Sequence, residues 1–106
     1  MTNDSEKKDK DYPVDPEGFL LDHQLWDSDW VERIKIDEEI EELTEDHHQV
    51  LEALRAYHAE HGHPPRVRDM TAVTGYKLKY IYEMFPSGPG KGACKMAGLP
   101  KPEGCV

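Results

Sequence analysis

The stretch TEDHHQVLEALRAYHAEHG, residues 44–62, decides the fold. Thr44 offers a side-chain acceptor immediately before Glu45 and Asp46, two anions that suit the positive end of a helix dipole. His47, Val50, Leu51, Leu54, Tyr57 and His58 then recur at spacings of three and four, and Gly62 supplies the stop. The pattern predicts a central core helix of about four turns.

Toward the C-terminus, Pro64 and Pro65 interrupt the chain. RVRDMTAVTG then predicts a short helix ended by Gly75, and YKLKYIYEMF a further one with Leu78, Ile81, Tyr82 and Phe85 on related faces. Toward the N-terminus, Asp27, Ser28 and Asp29 can each cap a helix through Trp30, Val31 and Ile34, after which the acidic DEEIEEL leads back to Thr44. YPVDPEGFLLD carries Asp15, Pro16 and Gly18 at the first, second and fourth places of a type I turn, which predicts a small hairpin. Residues 1–11 are polar and aperiodic and are expected to be a disordered tail. The expected fold is therefore mainly α: a small helical bundle with a helix-turn-helix-like core, a short N-terminal β-hairpin and a flexible C-terminal arm. Its boundaries are a helical domain over 12–85 and a mobile arm over 86–106.

Composition narrows the classes of function. With 13 basic and 22 acidic residues in 106, the net charge is −9. Residues 1–61 carry a balance of −13 and residues 62–106 one of +4. An acidic first half disfavours general nucleic-acid binding, whereas the basic second half could meet an anion or an acidic partner. Apolar runs are far shorter than the roughly 20 residues of a membrane span, and the start MTNDSEKKDKD has no export-type apolar region, so a cytoplasmic protein is expected. In a reducing compartment, cysteines serve redox or metal chemistry more often than they serve as staples.

Both cysteines, Cys94 and Cys105, fall in the closing run PSGPGKGACKMAGLPKPEGCV, residues 86–106. Its glycines and prolines oppose a long regular helix and predict an open arm with Cys105 at its tip. Ten residues separate the thiols, enough for the arm to fold back and bring them to bonding distance. They could then form a disulfide or share an inserted sulfur atom, one thiol accepting sulfur and the other resolving the product. Lys91 and Lys95 lie beside Cys94 and favour its thiolate, while Glu103 and the terminal carboxylate disfavour that of Cys105.

The closing run resembles the arm of the DsrC family, the small sulfur-carrier proteins of dissimilatory sulfite reductase, also called its gamma subunit. DPEGFLLD, LTEDHHQVLEALRAYHAEHGHPPRVRDM and YIYEMFPSGPG follow the same family's order, so the resemblance covers nearly all of the chain after about residue 12. TusE proteins of tRNA thiolation share the penultimate cysteine but typically lack the second, so Cys94 favours the dissimilatory branch. The resemblance implies a protein cosubstrate rather than an enzyme, partnered by the alpha and beta subunits of dissimilatory sulfite reductase. The sirohaem and iron-sulfur clusters would belong to that partner, and this chain would bind no cofactor of its own. Cys105 would accept sulfite-derived sulfur and Cys94 would resolve it as a trisulfide. A membrane-bound electron-transfer complex related to heterodisulfide reductases would reduce that trisulfide and release sulfide. In sulfur-oxidising settings, relay proteins would instead deliver persulfide sulfur. Lys91, Lys95 and Lys101 are candidate contacts guiding the arm into an anionic site.

Three rival readings come from the residues themselves. A helix-turn-helix regulator would use YKLKYIYEMF to read DNA, but that segment brings only Lys77 and Lys79 and no Arg or Asn for base edges. His58, His61 and His63 suggest a metal site, yet C-x-x-C pairing is absent and the spacing fits histidines at a solvated or core edge better. A free-standing thiol oxidoreductase would need the same missing C-x-x-C.

Overall fold

The computed structural model describes residues 12–104. The expected N-terminal tail and Cys105 lie outside these residues. Four α-helices follow in order: α1 Ser28–Asp37, α2 Glu45–His61, α3 Met70–Thr74 and α4 Leu78–Met84. Short 3-10 turns at His23–Leu25 and Val67–Asp69 precede α1 and α3, and a π-helical turn, Pro89–Cys94, follows α4.

Helix α2 is the axis of the fold. The Thr44 hydroxyl accepts from the His47 amide, while the Thr44 amide donates to His47 Nδ1 at 3.0 Å. This is a capping box in which histidine takes the place usual for Glu or Gln. With Nδ1 accepting from that amide, Nε2 carries the proton and donates to the Met84 carbonyl at 2.9 Å, at the end of α4. The His47 ring also meets Phe85 edge-on at 5.1 Å, so one buried side chain both starts α2 and fastens α4 to it. Val50, Leu51 and Leu54 extend the buried stripe, and Gly62 ends the helix at φ 82°, a left-handed conformation suited to glycine.

Helix α1 is capped as its sequence suggests: Asp27 Oδ1 accepts the Trp30 amide at 3.0 Å, and Trp30, Val31 and Ile34 are buried. The Asp15–Gly18 turn also forms, with the Gly18 amide on the Asp15 carbonyl and Asp15 Oδ1 accepting from the Glu17 and Phe19 amides. The expected hairpin strands do not. A single antiparallel bridge, Val14 to Leu20, is all the pairing found among the described residues, because the Asp15 carboxylate takes donors a ladder would need. On α4 the buried residues are Ile81 and Met84, while Leu78 is 37% and Tyr82 50% exposed. At seven residues α4 makes only two turns, and packing against His47 and Phe85 sets its inward face in place of the aromatic spacing.

The largest departure concerns the expected arm. Gly88, Pro89, Gly90 and Gly92 to Cys94 are buried, as are Met96 to Leu99, and Ala93, Cys94, Met96, Ala97 and Leu99 belong to the same core cluster as α1, α2 and α4. Over this span glycine and proline serve close packing instead of openness. A Cβ on Gly92 would lie 2.8 Å from Phe85 Cβ, and one on Gly98 would lie 2.6 Å from the Trp26 ring.

Replacing His47 by Ala removes half of the α2 cap and strands the buried Met84 carbonyl. Urea denaturation is expected to show a loss of about 2–4 kcal/mol. A loss under about 1 kcal/mol would mean that the cap and the α4 junction do not depend on this ring.

Candidate functional site

The site is built around Cys94. It ends the π-helical turn and is fully buried. Such turns insert an extra residue into helical winding and recur at functional positions. Here the Lys95 amide reaches back to the carbonyls of Gly90 and Gly92, and the Leu99 amide reaches the Cys94 carbonyl at 3.0 Å. Small residues make the tight winding possible: Gly92 lies directly against Phe85, and Gly90 and Ala93 are buried beside it in the chain. At its start, Glu38 accepts both the Ser87 amide at 2.9 Å and the Ser87 hydroxyl at 2.6 Å, linking the end of α1 to the segment.

Of the next three carbonyls, that of Lys95 accepts the Gly98 amide at 3.0 Å, and side chains from distant elements reach all three. Trp30 Nε1 donates to the Lys95 carbonyl at 2.7 Å, Trp26 Nε1 to Met96 at 2.8 Å, and Arg55 Nη1 to Ala97 at 2.7 Å. The Arg55 guanidinium also stacks over the Trp26 ring at 4.1 Å, which fixes the two donors relative to each other. Gly98, at φ 75°, turns the chain beneath that same ring. These three residues were not marked by their sequence positions. The available signals were two tryptophans four residues apart and Arg55 as the single Lys or Arg on α2.

After Leu99 the hold weakens. Pro100 is exposed, Lys101 Nζ pairs with Glu17 at 3.2 Å, and the Glu103 carbonyl accepts the Val67 amide at 3.1 Å. The chain runs here along a cleft of about 610 Å³ lined by Tyr57, His63, Pro64, Arg66, Lys101 and Glu103, among others. Of the candidate guiding lysines, Lys95 and Lys101 are turned onto the Asp15–Phe19 turn, Lys95 Nζ standing 5.0 Å over the Phe19 ring. Lys91 sits half-buried within the π-helical turn.

The rival sites take other forms. His58 meets His23 edge-on at 4.7 Å, whereas His61 and His63 gather around Tyr57 at 4.1 and 5.8 Å, so the three do not converge. Among the described residues no group of three or more His, Cys, Asp or Glu side chains could hold a metal ion. Burial holds His58 below the usual histidine range, helped by the neighbouring His23, Arg55 and His63 charges. On the α3–α4 unit, Tyr80 and Tyr76 both donate to the Asp46 carboxylate, at 2.6 and 2.9 Å. An anion thus sits among the side chains that a DNA-reading helix would present, beside Glu45 and Glu83. Among the described residues no helix is long and apolar enough to cross a membrane.

The described domain is mainly helical, with Cys94 buried in its last helical turn. The family model for DsrC like protein matches residues 6–106, and the chain belongs to the DsrC family. It is 52% identical over 99 residues to the dissimilatory-type sulfite reductase subunit gamma of Nitratidesulfovibrio vulgaris, covering 93% of this chain and 94% of that one. It is 36% identical over 100 residues to a sulfurtransferase TusE homolog of Haemophilus influenzae, covering 88% and 91%. Its fold matches a chain in the crystal structure of dissimilatory sulfite reductase I with a TM-score of 0.81 at 49% identity, covering 90% of this chain and 91% of the other.

Two outcomes are expected. Gly98→Ala places a methyl group against Trp26 in a left-handed backbone and should cost about 2–3 kcal/mol in denaturant titration; a neutral result would show that the turn does not press on the indole. The Tyr80 hydrogen bond, then that of Tyr76, holds the Asp46 carboxyl below its ordinary value. Stability from this group is therefore present above the usual carboxylate range and lost as pH falls through the lowered value. Carboxyl NMR titration should find the Asp46 pKa higher in Tyr80→Phe, and an unchanged value would remove that hydrogen bond as the cause.

Proposed function

We propose that the chain is a sulfur-carrier protein and a cosubstrate of dissimilatory sulfite reductase, acting in the cytoplasm with the reductase alpha and beta subunits. The observation that carries this reading is the fully buried Cys94, held one short segment before the penultimate Cys105. The 52% identity to a protein named as a sulfite reductase gamma subunit supports it.

The chemistry follows from the thiol pair. Cys105 takes up sulfur derived from sulfite, and Cys94 closes on that sulfur to give a trisulfide. Sulfite, two thiols, two electrons and four protons yield the trisulfide and three waters. Bringing sulfite sulfur to the zero-valent level takes four electrons, two from the reductase and two from the thiols as they are oxidised. Four more electrons and four protons return both thiols and release hydrogen sulfide, a step suited to a membrane-bound complex related to heterodisulfide reductases. The sirohaem and iron-sulfur clusters belong to the partner reductase, where they supply the electrons for sulfite.

Mobility is needed only beyond Leu99. Burying Met96 and Leu99 stabilises the preceding segment by about 1.5–3 kcal/mol each, whereas an exposed pair such as Lys101 to Glu17 contributes at most about 1 kcal/mol. Six residue steps from Leu99 allow Cys105 a reach of roughly 20 Å, enough to enter a partner's channel while the domain stays folded.

The test is intact mass with thiol alkylation, after incubation with a sulfite reductase turning over limiting sulfite. The expected product gains one sulfur, loses two hydrogens and has neither thiol open to alkylation. Cys94→Ala should carry sulfur on Cys105 without the bridge, and Cys105→Ala should carry none. Unmodified thiols beside an active reductase would overturn the proposal.

A further inference from the structure

We propose that Trp26, Trp30 and Arg55 are positioning residues for the Cys94 thiol. Together they hold the last helical turn in place so that Cys94 forms a fixed end for its bond with Cys105. The inference rests on the thiol-pair reading above and adds the residues that make closure efficient.

Three observations carry it. The acceptors are the consecutive carbonyls of Lys95, Met96 and Ala97, the three residues after Cys94, and the donors come from 65, 70 and 42 residues away in sequence. Helix ends ordinarily leave such carbonyls to water or to a capping turn. Each donor is also stiff: an indole has one N–H direction, and the Arg55 guanidinium is held by its stack on Trp26 at 4.1 Å and by a second, longer contact to the His23 carbonyl at 3.4 Å. Finally, the restraint stops where motion is required, since beyond Leu99 the described chain is fastened by the Lys101–Glu17 pair and the Glu103–Val67 hydrogen bond.

The physical consequence concerns the closure step. When both reacting groups wander, ring closure has to restrict both; when one is fixed, only the tether must be ordered. Loss of the donors would take the side-chain partners from the Met96 and Ala97 carbonyls, leave Lys95 only its bond from the Gly98 amide, and let the turn and Cys94 drift, even with both thiols present and the bundle folded.

Closure can be measured with this chain alone, using glutathione disulfide as the oxidant. Cys105 exchanges with glutathione disulfide to give a mixed disulfide and one glutathione. Cys94 then attacks the Cys105 sulfur, releasing the second glutathione and forming the Cys94–Cys105 disulfide. The rate of this second step is followed by quenched alkylation and mass in the full chain and in Trp26→Phe, Trp30→Phe, Arg55→Met and Arg55→Lys. Each Phe variant keeps an aromatic ring while it loses the N–H donor and part of the indole's volume, and Arg55→Met removes a donor with no ring lost.

The donor-deleting variants should close at least tenfold more slowly, while their mixed disulfides form at an unchanged rate. Arg55→Lys, which retains a donor, should recover part of the rate. Gly62→Ala, strained by the left-handed backbone at the end of α2 with nothing within 4 Å of the added methyl, should close within twofold of the parent and so separates positioning from stability. Closure in the donor variants within twofold of the parent would overturn the positioning role. A parent chain that stops at the mixed disulfide would overturn the thiol-pair reading itself, and the two failures are told apart by the parent alone.

Discussion

Three hydrogen bonds onto successive main-chain carbonyls, from Trp30, Trp26 and Arg55 to Lys95, Met96 and Ala97, join the closing segment to the rest of the fold. Buried carbonyls without partners cost about 1–3 kcal/mol each, so a segment rich in glycine can enter a core only where donors are waiting for it. Trp30 lies on α1, Trp26 just before it and Arg55 on α2. The segment therefore depends on both helices being in place, and Met96 and Leu99 in turn complete the core between them.

The same constraint divides the chain's end into two parts with different mechanics. Through Leu99 it is core, with side chains as buried as those of α2. Beyond Leu99 it is fastened by a surface ion pair and a main-chain hydrogen bond, contacts of the size that exchange readily with water. Cys94 lies in the first part and Cys105 follows the second in sequence, an order that the proposed carrier role uses.

Charge supports the arrangement without defining it. Lys95 and Lys101 answer the Asp15–Phe19 turn in this structure, so the basic character of the closing segment is partly spent within the domain. The exposed acidic stretch between α1 and α2 and the Asp46 carboxylate beside Tyr76 and Tyr80 leave the α3–α4 unit a poor partner for a polyanion.

Local signals settled much of the fold. Thr44 and Asp27 cap the helices they precede, Gly62 and Gly75 end those they follow, and the α2 stripe from His47 to Leu54 is buried, because capping and periodicity depend on neighbours within one or two turns. The closing run around Cys94 and Cys105 is legible for the same reason, since a linear motif needs no tertiary contact to be read, and it points to the family. The hairpin strands were misread because the choice between a ladder and an Asp-bound turn rests on which acceptor wins the same amides. The packing of residues 88–99 is not legible in the sequence because glycine permits both openness and close approach, and only the positions of Phe85 and Trp26 say which applies. Sequence by itself thus determined the helices, their ends and the family; tertiary structure alone decided the clasp on residues 95–97 and the burial of Cys94, since its donors come from 42 to 70 residues away and no local pattern encodes such a meeting.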